Sequence, residues 1–255
     1  MNDARPNVVV TGAARRIGRA VAEGLAARGW GVAIHFDRSR VEAEELAHAI
    51  TQRGEGRAVT LRADLTDIAQ AGTLLKRAGA ALGPVDVVVN NASIFEDDTI
   101  ETLRWDAFDR HFAIHVKAPL ELARSLAASL GEGREGLVVN VIDQRVWKPT
   151  PLLFSYGLSK AALWDATRMM AQALAPRVRV NAIGPGPTLQ GARQSPEDFR
   201  RQIDSVPLRR GPGLDEFAAT VGYLWDARSV TGQMLALDGG QHLAWETADV
   251  AGIRE

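Results

Sequence analysis

The stretch Val8-Val9-Val10-Thr11-Gly12-Ala13-Ala14-Arg15-Arg16-Ile17-Gly18 joins a short apolar run to a glycine turn and then to the apolar-periodic Val21, Leu25 and Ala26. A buried strand that turns tightly into a helix opens a βαβ unit, and such units wind into parallel sheets. Gly12 permits the tight turn, and Gly18 permits the helix to pack closely. The helix N-terminus offers unpaired N–H groups and the positive end of a dipole, which suits a pyrophosphate. Arg15 and Arg16 add fixed positive charge beside it.

The alternation continues along the chain. Apolar runs predict strands at 7–11, 31–35, 58–62, 85–90, 136–142, 178–183 and 233–237. Helical patterns fall at about 16–28, 41–53, 66–80, 101–130 and 155–175, with shorter ones near 196–204 and 214–226. No shift in composition marks a second domain, so residues 1–255 read as one α/β domain. The expected architecture is a doubly wound, Rossmann-type parallel sheet of about seven strands with helices on both faces. Its ligand belongs at the carboxyl ends of the strands. The irregular passage from Gly184-Pro185-Gly186-Pro187 onward, about 187–213, reads as a substrate lid.

Charge and composition narrow the partners. A net charge of −1 with no basic run argues against a nucleic-acid partner. The absence of cysteine excludes disulfides and thiolate metal sites. The five histidines (35, 48, 111, 115, 242) give one helical pair, His111 and His115, with no carboxylate motif beside it, so no metal is expected. Met1 to Asn7 is polar and no apolar run reaches the length of a membrane span, which makes a cytoplasmic location the expectation.

Tyr156 and Lys160, in Tyr156-Gly157-Leu158-Ser159-Lys160, stand four apart on the helix predicted over 155–175. That spacing puts an ammonium beside a phenol, where it favours the phenolate, an arrangement suited to passing a proton. A solvated surface pair is the other reading of this spacing taken alone.

Taken together, Thr11 to Gly18, Ala63-Asp64-Leu65, Asn90-Asn91-Ala92-Ser93, Tyr156 to Lys160, Val180 to Gly186 and Leu237-Asp238-Gly239-Gly240 resemble the motifs of the short-chain dehydrogenase/reductase family, in its order and over essentially the whole chain. Two positions depart from that pattern: Arg16 stands where the family has its middle glycine, and Asp143 where it has its catalytic serine. Both departures resemble the pteridine and dihydromonapterin reductases within the family. His35-Phe36-Asp37-Arg38-Ser39 is similar to a segment of that subgroup, Phe95 falls where its pterin-stacking aromatic stands, and His115 takes the place of the family's asparagine.

The resemblance implies a catalytic set of Asp143, Tyr156 and Lys160, with His115 as a relay. It implies dinucleotide contacts from Gly12, Arg15, Arg16, Ile17, Gly18, His35, Arg38, Ser39, Asp64, Leu65, Asn90, Ala92, Tyr156, Lys160, Pro185, Gly186 and Thr188. Substrate contacts fall to Arg16, Ser93, Phe95, Asp143 and Tyr156. Lys160 is expected to hold the nicotinamide ribose and lower the tyrosine pKa.

Asp37, nineteen residues after Gly18, lies near the distance at which a carboxylate binds the ribose of NAD. By resemblance, however, that role belongs to position 36, where Phe36 cannot hydrogen-bond. Arg15, Arg38 and Ser39 suit a phosphate, so NADPH (NADP+) is the expected cofactor.

The implied reaction is hydride transfer to a C=N bond of a dihydropterin or dihydrofolate, with the final proton coming from Tyr156 or from a water held by Arg16. The alternatives are a short-chain carbonyl reductase of 3-oxoacyl or sugar ketones, and a non-catalytic NADPH-binding regulator. Trp147, Leu152 and Leu153 either wall the pocket or cover core. By resemblance the helices over 155–175 (Ala161, Ala162, Met169, Ala173) and 101–130 (Ala113, Leu120, Leu122) pair across two-fold axes into a homotetramer, and the tail with Trp245 and Ile253 reaches a neighbouring subunit.

Overall fold

The structure is a computed structural model that describes residues 5–54, 56–191, 194–247 and 251–252; Ile253 and residues 1–4 lie outside them. Its strands are β1 (Asn7–Val10), β2 (Gly31–Phe36), β3 (Arg57–Arg62), β4 (Val87–Asn90), β5 (Gly136–Val141), β6 (Val178–Pro185) and β7 (Met234–Leu237). They form one sheet in the order β3-β2-β1-β4-β5-β6-β7, parallel at every pairing. The helices are α1 (Arg16–Ala27), α2 (Arg40–Arg53), α3 (Ile68–Leu82), α4 (Trp105–Phe112), α5 (Ala118–Ser129), α6 (Phe154–Leu174), α7 (Pro196–Asp204) and α8 (Leu214–Asp226).

The unbroken Val8-Val9-Val10 run is explained by burial on both faces. Val8 and Val10 pack with Leu25 of α1, Leu46 of α2 and Phe217 of α8. Val9, pointing the other way, packs with Leu74 of α3, Leu126 of α5 and Met170 of α6. A parallel strand covered on both sides has no polar alternation to display. Strand order reverses direction between β1 and β4, and a crevice opens there at the carboxyl ends, which is where this fold class holds ligands.

Two expectations are corrected. The helix expected over 101–130 begins at Trp105 and is interrupted by a π-helical turn, Ala113–Lys117, between α4 and α5. Pro119 has no N–H for the carbonyl four residues back, so the ladder shifts register there. Leu122, expected on an intersubunit face, is 1% exposed and packs in the chain's own core.

Candidate active site

The glycine turn after β1 is packed against the turn after β4. Gly12 has φ 62°, and a Cβ built on it would lie 2.9 Å from the Cα of Ala92. A Cβ on Gly18 would come within 2.4 Å of the Gly12 carbonyl and of Asn91 Nδ2. Neither position has room for a side chain, so backbone lines the crevice at the start of α1, a cradle that fits a dinucleotide phosphate. Ile17 sits in the first turn of α1 between Arg16 and Gly18.

His35 braces this cradle from behind. Its Nδ1 accepts the Gly12 N–H at 3.1 Å, which leaves Nε2 to donate to the Ala63 carbonyl at 3.1 Å. Burial lowers its pKa to about 4, so the ring is neutral and this tautomer holds. Next door, Asp64 closes its own turn by accepting the backbone N–H and hydroxyl of Thr66, and Leu65 is buried.

The arginines are engaged with protein partners. Arg16 has φ 55°, a left-handed conformation that costs an arginine on the order of 1 kcal/mol. Its guanidinium donates to the carbonyls of Gln190 and Leu189 at 3.2 and 3.3 Å, which ties the glycine turn to the segment that follows β6. Arg15 pairs with Glu42, and Arg38 pairs with Asp37 at 3.3 Å. Asp37 therefore has an arginine partner. Ser39, the residue before α2, makes no capping bond with its side chain.

Further along the crevice, the Asn90 side chain turns into the sheet and donates to Asn140 at 2.8 Å. The Ala92 N–H is taken by the Thr11 hydroxyl at 2.9 Å, so Ala92 offers its carbonyl. On the far side, Pro185 ends β6, Gly186 donates to the Leu237 carbonyl, and Thr188 Oγ1 donates to the Gly186 carbonyl at 3.1 Å.

Tyr156, Asp143 and Lys160 come together at the end of β5 and the first turns of α6. The Tyr156 hydroxyl donates to Asp143 Oδ2 at 2.9 Å. The same oxygen receives Arg145 Nη1 at 3.2 Å, while Asp143 Oδ1 accepts the Arg145 backbone N–H at 2.8 Å. The Lys160 ammonium donates to the Val141 carbonyl at 2.8 Å and lies 5.7 Å from the centre of the Tyr156 ring.

This corrects the expected electrostatics. Burial, then the Asp143 carboxylate, pushes the Tyr156 pKa well above its ordinary value. Lys160 is itself lowered to about 8 by burial. An ammonium pointed at a carbonyl does little for a phenol whose proton already rests on a carboxylate. The phenol is therefore a proton holder at neutral pH.

His115, buried on the inner side of the π turn, joins two serines. Ser159 Oγ donates to the Tyr156 carbonyl at 2.8 Å, so His115 Nδ1–H donates to Ser159 at 2.7 Å. Its Nε2 then accepts, from Ile94 N–H at 3.3 Å and facing Ser93 Oγ at 2.9 Å. Burial, with Lys160 nearby, holds the His115 pKa well below the ordinary value. Phe95, 48% exposed, sets its ring edge-on to Tyr156 at 4.7 Å between centroids. Trp147 packs its ring 6.3 Å from Trp164 and 5.0 Å from His242, while Leu152 is exposed.

Three residues join the site without any local sequence signal: Arg145 on Asp143, Ser159 on His115, and Asp98. Asp98 is 8% exposed and caps α6, accepting the Ser155 N–H at 3.0 Å. Among the described residues no cluster of histidine or acidic side chains is arranged to hold a metal ion, and no helix is long and apolar enough to cross a membrane.

Comparison with known proteins agrees with this geometry. The model of the short chain dehydrogenase family matches residues 6–200. The crystal structure of FolM alternative dihydrofolate reductase 1 from Brucella suis in complex with NADP is 55% identical and superposes with a TM-score of 0.94, covering 98% of this chain and 100% of that one. Pteridine reductase 1 of Leishmania tarentolae is 31% identical over 284 residues, 93% of this chain and 96% of its own length. A 3-oxoacyl-acyl-carrier-protein reductase of Staphylococcus epidermidis is 27% identical over 242 residues, 93% of this chain and 99% of its own length. A family model that spans residues 6–200 of a seven-stranded parallel sheet places the chain: it belongs to the short-chain dehydrogenases.

Proposed function

We propose that this chain is an NADPH-dependent reductase of the C=N bond of a dihydropterin or dihydrofolate. The observation that carries the reading is the Tyr156 phenol bonded to the Asp143 carboxylate, with the exposed Phe95 ring beside it. A carboxyl group accepts from the N–H groups of a nitrogen heterocycle, where a serine hydroxyl serves a ketone oxygen better. Phe95 gives a planar ring a face to stack on. The Brucella and Leishmania relatives, named for folate and pteridine reduction, support the same reading.

Gly12, Ile17, Gly18 and the α1 N-terminus take the pyrophosphate, with His35 fixing the turn. Arg15, Arg38 and Ser39 take the extra phosphate, exchanging Glu42 and Asp37 for it. Asp64, Leu65, Asn90 and Ala92 flank the adenosine, and Pro185, Gly186 and Thr188 the nicotinamide. When bound, the dinucleotide supplies a hydride to the C=N carbon. Tyr156 holds a proton near the adjacent nitrogen, Asp143 orients the phenol and the heterocycle, and Lys160 holds the nicotinamide ribose. Arg16 and Ser93 border the substrate, and His115 links Ser93 to Ser159 as a proton path.

A 3-oxoacyl or sugar-ketone reductase is the second reading, favoured by the intact Tyr156 and Lys160 and by the staphylococcal relative. NADPH consumption, followed by absorbance against a dihydropterin, dihydrofolate and a panel of ketones, separates the two. Turnover of ketones alone selects the second reading; binding of NADPH with no turnover selects a regulator. We also propose a cytoplasmic homotetramer built on α5 and α6, supported by Leu120 and Met169, which are 40% and 67% exposed on those helices. A monomeric mass by light scattering would contradict it.

A further inference from the structure

Asp143 stands before a single 3₁₀ turn, Gln144–Val146, and caps it: its Oδ1 accepts the Arg145 backbone N–H at 2.8 Å. The same turn brings the Arg145 side chain back, so that Nη1 donates to Asp143 Oδ2 at 3.2 Å. Oδ2 is also the oxygen that accepts the Tyr156 hydroxyl, at 2.9 Å. One residue thus grips both oxygens of the carboxylate, and a permanently charged guanidinium shares an acceptor with the phenol.

The other ionisable groups packed around Tyr156 are neutral or turned elsewhere. Lys160 directs its ammonium to the Val141 carbonyl at 2.8 Å, and burial lowers its pKa to about 8. His115, whose ring centre lies 5.5 Å from that of Tyr156, is held neutral by burial and gives its Nδ1–H to Ser159. His111, 6.4 Å away, directs its Nδ1–H to the Ala107 carbonyl. The charges that face the phenol hydroxyl are therefore those of Asp143 and Arg145. Burial, then Asp143, pushes the Tyr156 pKa up, and Arg145 pulls against them.

That balance matters when the proton leaves. In the reaction proposed above the phenol O–H breaks as an N–H bond forms on the nitrogen of the C=N bond, while the carbon takes the hydride. A phenolate is left against a carboxylate in a buried site until water returns the proton, and like charges so close oppose that ionisation. We propose that Arg145 is a positioning residue for this step: its guanidinium fixes the Asp143 carboxylate toward Tyr156 and offsets the double negative charge that forms when the phenol gives up its proton. The role rests on the reading above that Tyr156 delivers the proton, and it is the same whether a pterin or a ketone receives it.

Arg145→Gln keeps the backbone N–H on Oδ1 and removes the charge; Arg145→Met, of similar length, repeats the test should the glutamine variant fail to fold. In steady-state assays at saturating NADPH, with dihydrobiopterin, dihydrofolate and a panel of ketones, the variant should lower kcat roughly tenfold for whichever class the wild type reduces, the effect of one charge lost beside a group that must ionise, and leave KM for NADPH within about twofold. Arg145→Lys should recover most of the loss. The acidity of the phenol supplies the readout that a merely structural role would not move. The chain has two tyrosines, Tyr156 and Tyr223, so incorporation of a fluorinated tyrosine in a Tyr223→Phe background makes Tyr156 alone more acidic. Fluorination should then narrow the gap in kcat between Arg145→Gln and Arg145 severalfold. If ketones are reduced and pterins are not, with the same dependence on Arg145, the substrate assigned above falls and the role of Arg145 stands. An undiminished kcat in a folded Arg145→Gln protein, a loss that Arg145→Lys does not recover, or a gap that fluorination leaves unchanged would overturn it, as would a wild type that turns over neither class.

Discussion

Asp98 caps the helix that carries Tyr156 from 57 residues away: its carboxylate accepts the Ser155 backbone N–H at 3.0 Å and the Ser155 hydroxyl besides. The Asp98 carbonyl takes the next orphan donor, Phe154 N–H, at 3.2 Å. Leu153, at the helix entry, is held at φ 60°, so the chain reaches α6 in a strained conformation that this cap secures. Because Asp98 follows Phe95 on the same loop, one side chain fixes both the phenol and the aromatic face beside it.

Asp98→Ala should therefore cost about 1–3 kcal/mol of stability, the range for losing a cap and leaving buried donors unpaired. For a chain of this size the melting temperature falls on the order of 5 °C. In steady-state assays at a temperature where the variant is folded, kcat should fall further than KM for NADPH rises, since the cradle at Gly12 is untouched. Asp98→Asn, which keeps one acceptor oxygen, should recover part of both losses. Unchanged kcat in a folded Asp98→Ala protein would remove Asp98 from the positioning of Tyr156.

Asp143→Ser tests the chemistry of the departure itself. It removes the acceptor for the Tyr156 hydroxyl and the partner of Arg145. Dihydropterin reduction should drop by tenfold or more, roughly 1.4 kcal/mol of lost transition-state stabilisation, while any ketone side activity is spared or improved. A rise in dihydropterin turnover would point to the carbonyl-reductase reading.

Arg38 is almost fully exposed and faces Asp37. Arg38→Ala should raise KM for NADPH by about tenfold and leave NADH nearly unchanged. An equal effect on both cofactors would place the extra phosphate elsewhere.

His35 gives the fold an acid limit. Its folded pKa of about 4 lies below the ordinary 6.5 of a histidine, so the unfolded chain takes up the proton first as pH falls. The stability that the neutral ring contributes is complete above the unfolded pKa and is lost as pH falls from there towards the folded one. Between neutral pH and pH ~5 the loss is about 2 kcal/mol. Urea unfolding at the two pH values should show that difference reduced in His35→Gln, and NADP+ binding should weaken alongside it. Identical pH dependence in the two proteins would contradict the bracing role.

What was legible in the sequence was local. The Val8 to Gly18 turn, the strand–helix alternation and the spacing of Tyr156 and Lys160 depend on neighbours along the chain, and each appears where expected save the helix over 101–130, which starts at Trp105 and is interrupted. The spacing of Tyr156 and Lys160 places both on one helix without saying what each touches; the phenol found Asp143 and the ammonium found the Val141 carbonyl. Arg16 reaches Gln190 across 174 residues and Asp98 reaches Ser155 across 57, distances at which an ordinary arginine or aspartate carries no readable signal. The π turn before Pro119 lies inside a pattern that otherwise reads as a continuous helix.

The central claim is that a C=N carbon of a pterin ring receives the hydride. Single turnover with NADPH deuterated on the transferred position, followed by mass spectrometry and proton NMR of the product, tests it most directly. The account predicts one deuterium on the ring carbon of the reduced C=N bond of tetrahydrofolate or tetrahydropterin, formed in step with NADPH loss. A pterin recovered without deuterium, with the label appearing in a ketone substrate instead, would contradict it.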